Sequence, residues 1–288
     1  MDNAVPTPTR INVGEVELSV IDTGPGPEST VVLLHGWPDR ALMWRHQIAG
    51  LAAAGHRVIA PDLRGFGDSD KPEGVENYQM HHLIGDVLGL ADTLGVQEFK
   101  LAGHDWGSAL GWIVATAAPQ RVQKYAGISV GHPRAFADAG MAQKQRSWYM
   151  LFFQFAGVAE KALSAKDFFA FRSLVGGSWG GDESEDLQRR VADVSRPGAL
   201  TSGLNWYRAN INLDTYLEGD GATQLPNVQC PVLGIWSDGD GALTERQMTD
   251  SQRFVDGSWT YHRIEGASHW VPEERADDVT NLLTEFFA

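Results

Sequence analysis

Two kinds of apolar run recur along this chain. Thr30–Leu34, Val58–Ala60, Phe99–Ala102, Tyr125–Val130 and Pro231–Trp236 are short and mostly apolar. Such runs predict strands covered on both faces, as in parallel sheets. Met80–Leu94 and Ser108–Thr116 instead repeat with a helical period. Ile11–Thr23 alternates apolar and polar positions around Gly14, which predicts an opening hairpin, and Thr260–Ile264 reads as a last strand. Strands and helices therefore alternate from residue 30 to 130. That order predicts an α/β fold with a doubly wound, mostly parallel sheet.

The alternation stops near residue 133 and resumes near Val228. The residues between are aromatic and helical in pattern, without a good strand. They predict a helical cap, 133–222, inserted into a core made of 1–132 and 223–288. A cap so placed lies over the strand C-termini, where such sheets hold their sites. Within it, Gly176–Gly181 is expected to form a flexible loop. Trp148–Phe155 is apolar on every side, Trp148, Leu151, Phe152 and Phe155 on one face and Tyr149 and Phe153 on another. It is therefore expected to be a helix sandwiched between cap and core. Leu204, Tyr207 and Ile211 share one stripe of a second cap helix, which carries the Tyr207 hydroxyl toward the core. Taken alone, either tyrosine reads better as core packing.

Composition narrows the partners. The 288 residues carry 23 Lys and Arg against 37 Asp and Glu, a net charge of −14. That excess argues against nucleic acid and anionic membrane surfaces. The single cysteine, Cys230, excludes an internal disulfide and reads as a buried filler beside the 231–236 strand. The start shows no secretory signal and no run is long enough to span a membrane, so a cytoplasmic protein is expected. No cofactor or metal is expected. Asp238-Gly239-Asp240-Gly241 does not fit an EF-hand, no complete dinucleotide or phosphate loop appears, and no histidine pair has metal-ligand spacing.

The chemistry centres on Gly103-His104-Asp105-Trp106-Gly107, between a strand and a helix. This is the pattern of a nucleophile elbow with aspartate in place of serine. A carboxylate is ionised at neutral pH and can attack saturated carbon without a base. Five residues alone also fit a solvent-facing turn. Further along come His35-Gly36-Trp37-Pro38, the acids Asp238 and Asp240 after a strand, and Ser268-His269-Trp270 near the end. Taken together, these residues resemble the epoxide hydrolase and haloalkane dehalogenase branch of the α/β-hydrolases over nearly the whole chain.

The resemblance implies roles. Asp105 is the nucleophile, His269 the base for ester hydrolysis, and Asp240, in preference to Asp238, its orienting acid. The Tyr149–Gln154 and Leu204–Arg208 segments resemble those that hold the two ring-opening tyrosines of epoxide hydrolases, here Tyr149 and Tyr207. The amides of Trp37 and Trp106 are expected to form an oxyanion hole, with Trp37–Pro38 a candidate cis bond. Trp37, Trp106 and Phe153 are expected against the substrate. The expected activity is conversion of a small apolar epoxide and water to a vicinal diol, by a monomer or homodimer. A haloalkane or haloacid dehalogenase would share the aspartate. However, halide needs no proton, the haloalkane enzymes often carry asparagine where Trp37 stands, and a haloacid enzyme needs arginine where Trp106 stands. A non-catalytic binding module is the third alternative.

Overall fold

The computed structural model describes residues 5–26, 28–176, 184–218 and 225–288. Eight strands form one sheet: β1 (Thr9–Asn12), β2 (Glu17–Asp22), β3 (Thr30–Leu34), β4 (Arg57–Pro61), β5 (Phe99–His104), β6 (Val122–Ile128), β7 (Val232–Ser237) and β8 (Trp259–Ile264). Their order is β1-β2-β4-β3-β5-β6-β7-β8. The β1–β2 and β2–β4 pairs are antiparallel, and every pair from β4 to β8 is parallel. The hairpin, the parallel strands and their order along the chain match the sequence pattern.

Alternating side chains of each central strand feed two helical layers. Val31 and Leu33 belong to one core with Ile48 and Leu51 of α1 (Arg45–Ala53) and Val279 and Leu283 of the C-terminal helix Ala276–Phe287. Val32 and Leu34 belong to the other, with Leu83 and Val87 of α2 (Met80–Thr93) and Leu110 and Val114 of α3 (Trp106–Ala117). A strand flanked this way is apolar at every position, which is why β3 reads as a continuous run.

After β6 come α4 (Pro133–Asp138), α5 (Met141–Arg146), α6 (Tyr149–Phe152), α7 (Val158–Val175), α8 (Glu185–Val194), α9 (Ala199–Asn210) and α10 (Leu213–Glu218). The chain then enters β7, and α11 (Glu245–Thr249), α12 (Val271–Glu274) and α13 (Ala276–Phe287) follow. Inside α7, Lys166, Asp167 and Phe168 break the helix with φ of 50°, 55° and 58°. The Gly177–Gly181 stretch and the boundary near residue 222 lie outside the described residues. No helix among the described residues is long and apolar enough to cross a membrane.

The Trp148–Phe155 segment departs from expectation. Only one turn, α6, is helical, and just one face is buried. Tyr149 and Phe153 turn inward, while Trp148 and Phe155 are 55% and 62% exposed. The segment is an outer turn of the insert, so only its inward face meets other elements. Cys230 is half buried, and burial pushes its thiol up to about 11.

Candidate active site

The site is built at the C-terminal ends of β3, β5 and β7. Asp105 sits between β5 and α3 with φ 54° and ψ −123°, a conformation that costs a non-glycine residue about 1–3 kcal/mol. The strand before it and the helix after it both bury apolar side chains fully, among them Phe99 and Leu101 of β5 and Leu110 of α3. Each contributes about 1.5–3 kcal/mol, enough to hold the turn. The tight turn also needs Gly107, because a side chain there would strike the Leu34 carbonyl. A side chain at Gly36 would strike the Asp105 carboxylate itself. In its absence the Trp37 amide donates to Asp105 Oδ1 at 2.8 Å. The Trp37–Pro38 bond is cis. Trp106 opens α3, so its amide is among the N-terminal donors that no carbonyl within the helix reaches.

His269 lies between two carboxylates. Its Nδ1 is 2.8 Å from Asp240 Oδ2, and its Nε2 is 3.4 Å from Asp105 Oδ2. Burial opposes charging of the ring, but Asp240, the hydrogen bond to Asp105 and the Asp105 charge outweigh it and raise the imidazole to about 10. Burial also works against the Asp240 charge. The His269 charge and its hydrogen bond, with the Leu243 and Ala242 amides, still hold that carboxyl below the usual range. Asp238 instead accepts the Gly266 amide at 2.7 Å, on the outside of the turn. Of the two acids, Asp240 is the one that reaches the histidine.

This pairing predicts a pH dependence of stability. The folded-state pKa of His269 lies above its ordinary 6.5. Its contribution is therefore complete below about pH 6.5 and lost as pH rises toward 10. Thermal melts between pH 6 and pH 10 should show the wild type losing stability faster than His269→Gln. Parallel profiles would contradict the shift.

Two buried tyrosines, Tyr149 from α6 and Tyr207 from α9, line the same cavities as Asp105. Their rings meet edge-on with centroids 6.1 Å apart, and the Trp106 ring meets Tyr207 edge-on at 5.1 Å. Burial, and then the Asp105 charge, raise both phenols well above their usual range, so both stay protonated. A cavity of about 630 Å³ lined by Asp105, Trp106, Tyr149 and Tyr207 runs out past Ile113, Phe136 and Ile211. A second, of about 220 Å³, shares Asp105, Tyr149 and Tyr207 and is also lined by Trp37 and His269. Phe153, expected against the substrate, lines neither. It is fully buried and packs edge-on against Trp37 and Tyr207, at 5.2 and 4.9 Å between centroids. Its place in the chain one turn after Tyr149 sends it behind the wall that the tyrosine forms.

Some residues around the site were not singled out by the sequence pattern. The buried His104 ring lies 4.7 Å from His269, with its Nε2 2.8 Å from the His269 carbonyl. Burial and the neighbouring His269 push it down to about 4, so it stays neutral. Its position beside Asp105 in the elbow pattern was the available signal. Asp39, just past the cis bond, pairs with Arg189 and Arg190 of α8, which also pair with Glu273 of α12. No group of three or more His, Cys, Asp or Glu among the described residues is arranged to hold a metal ion.

With this geometry in place, comparison with known proteins is informative. Residues 29–276 match the family described as the alpha/beta hydrolase fold. The chain is 32% identical to epoxide hydrolase A of Mycobacterium tuberculosis, over 98% of its own length and 97% of that protein's. This chain belongs to the epoxide hydrolase family of the α/β-hydrolases. An epoxide hydrolase from Bacillus megaterium, solved with an inhibitor, superposes with a TM-score of 0.86 at 28% identity, covering 96% of this chain and 99% of that one. Epoxide hydrolase A from Mycobacterium thermoresistibile does so with a TM-score of 0.80 at 30% identity, covering 98% of each chain. An AB hydrolase superfamily protein of Bacillus subtilis is 32% identical over 96% of each. Asp105, Asp240 and His269 follow one another along the chain in the order in which α/β-hydrolases carry nucleophile, acid and histidine.

Proposed function

We propose that this α/β-hydrolase converts an apolar epoxide and water to a vicinal diol through an ester on Asp105. The observation that carries the reading is the Asp105 carboxylate facing two buried, protonated phenols across one cavity. An Asp105 oxygen bonds to a ring carbon as the carbon–oxygen bond of the epoxide breaks. The leaving oxygen stays attached through the other ring carbon and takes a proton from the Tyr149–Tyr207 pair. Neutral donors suit this task, because an alkoxide is a poor leaving group until it is protonated.

Esterification removes the Asp105 charge that helps keep His269 protonated, so the imidazolium gives up its proton, which neutralises the phenolate left by ring opening, and the ring becomes a base at the step that needs one. It takes a proton from water, and the hydroxide adds to the ester carbonyl. The Trp37 and Trp106 amides face the resulting oxyanion. Collapse breaks the bond between the carbonyl carbon and the alkyl oxygen and releases the diol. Water's two protons end on the departing hydroxyl and on His269, which returns to its charged form. Asp240 holds the histidine tautomer and balances its charge. In this reading the helical insert is a cap that brings the phenols over the core. The apolar lining from Met80, Ile113, Phe136 and Ile211 supports an apolar substrate.

The scheme fixes where the new diol oxygen originates. In a single turnover with excess enzyme in heavy-oxygen water, the first diol formed from styrene oxide should be largely unlabelled. Label should enter Asp105 and appear in diol on later turnovers. Label in the first product would mean direct attack by water and would overturn the ester.

A further inference from the structure

Arg190 of α8 joins two loops that serve the same half of the reaction. Its Nε donates to both Asp39 oxygens, at 3.1 and 3.0 Å, and its Nη2 donates to Glu273. Its guanidinium lies over the Trp270 ring, 3.9 Å from the centroid. Asp39 is two residues past Trp37, whose amide meets Asp105, and its own amide is tied to the Gly36 carbonyl at 3.0 Å. Trp270 directly follows His269, and the two rings meet edge-on at 4.9 Å. The far end of the indole is also held by the insert, through Nε1–H to the Val175 carbonyl at 2.8 Å.

The Arg190, Asp39 and Glu273 side chains are 4%, 1% and 4% exposed. Charges this far from water are fixed in place by their partners. A guanidinium is also the one cation that can grip a carboxylate with its edge and stack an aromatic ring on its face. Among the described contacts, Arg190 reaches none of Asp105, Tyr149 and Tyr207.

We propose that Arg190 is a positioning residue for ester hydrolysis. From the insert it sets the loop that carries the Trp37 oxyanion amide and the turn that carries His269, and leaves ring opening to the groups it does not touch. The proposal rests on the functional reading above, and its test separates the two. Wild-type enzyme, Arg190→Gln, Arg190→Lys and Arg45→Gln are given styrene oxide. Steady-state constants are measured, and the fraction of enzyme carrying an adduct is read by intact mass after quenching. Arg45 belongs to the same ion network, pairing with Glu273 and Asp186 at 3.0 Å, but its ion pairs reach neither Asp39 nor Trp270.

Misplacing catalytic groups by a fraction of an ångström costs about tenfold to a hundredfold. Arg190→Gln should lose kcat on that scale. KM should fall in parallel, so kcat/KM stays nearly unchanged while ester accumulates. Arg190→Lys keeps the charge but neither the fork nor the stack, and should shift in the same direction. It decides the matter if the glutamine variant does not fold. Arg45→Gln should accumulate no adduct. A fall in kcat/KM without adduct in the Arg190 variants, or wild-type constants in both, would overturn the proposal. Wild-type enzyme that yields no diol would overturn the functional reading, and the proposal with it.

Discussion

Tyr149→Phe combined with Tyr207→Phe is expected to bring ring opening close to zero. Losing one transition-state donor costs roughly 3–4 kcal/mol, about a hundredfold or more in rate, and the pair should lose about ten-thousandfold. The variants are chemically narrow. Phenylalanine keeps the ring that Tyr207 packs against Trp106 and Phe153, at 5.1 and 4.9 Å. The loss should therefore fall on the rate of Asp105 alkylation, read by single-turnover mass measurement, and leave the melting temperature nearly unchanged. Each single variant should retain partial activity, since either hydroxyl reaches the same oxygen. A folded double variant with wild-type turnover would return both tyrosines to a packing role.

The second large effect is a stall rather than a loss of reactivity. His269→Gln should still be alkylated, because the proposed attack uses only Asp105 and the phenols. Hydrolysis of the ester would then lack its base, and turnover should fall by about a hundredfold to ten-thousandfold. The trapped protein should gain the full mass of the epoxide, located on the peptide that carries Asp105. A haloalkane processed by a dehalogenase would add only its alkyl group. Adduct from haloalkanes and none from epoxides would reverse the assignment of substrate. Asp240→Asn should accumulate the same adduct more weakly, whereas Asp238→Asn, bound to the Gly266 amide, should not.

The sequence showed the sheet clearly because its central strands are covered on both sides. Thr30–Leu34 and Val232–Ser237 each present a nearly unbroken apolar run, and a run of that length and composition has few other uses. The Asp105 turn and its place beside His269 were legible because the turn needs glycines at fixed positions and the order along the chain matches that of α/β-hydrolases. Contacts between distant charges were not. Asp39, Arg190 and Glu273 are separated by 151 and 83 residues, and each read singly looks like a surface charge. Helical period also failed in the 148–155 segment. Apolar content on every side implied burial on every side, but the helix lasts one turn, and Trp148 and Phe155 face outward. The same geometry moved Phe153 from the cavity wall to the layer behind it.

The two cavities that meet at Asp105 differ almost threefold in size, about 630 against 220 Å³. An epoxide with unlike substituents therefore has one comfortable way to lie. In the proposed scheme its bulkier arm is expected in the roomier branch, which would set the ring carbon presented to the carboxylate. Mirror-image substrates would have to present opposite carbons, or exchange their arms against the difference in space. Under the proposed scheme, handedness in the product is thus the expected outcome of unequal room on either side of one carboxylate.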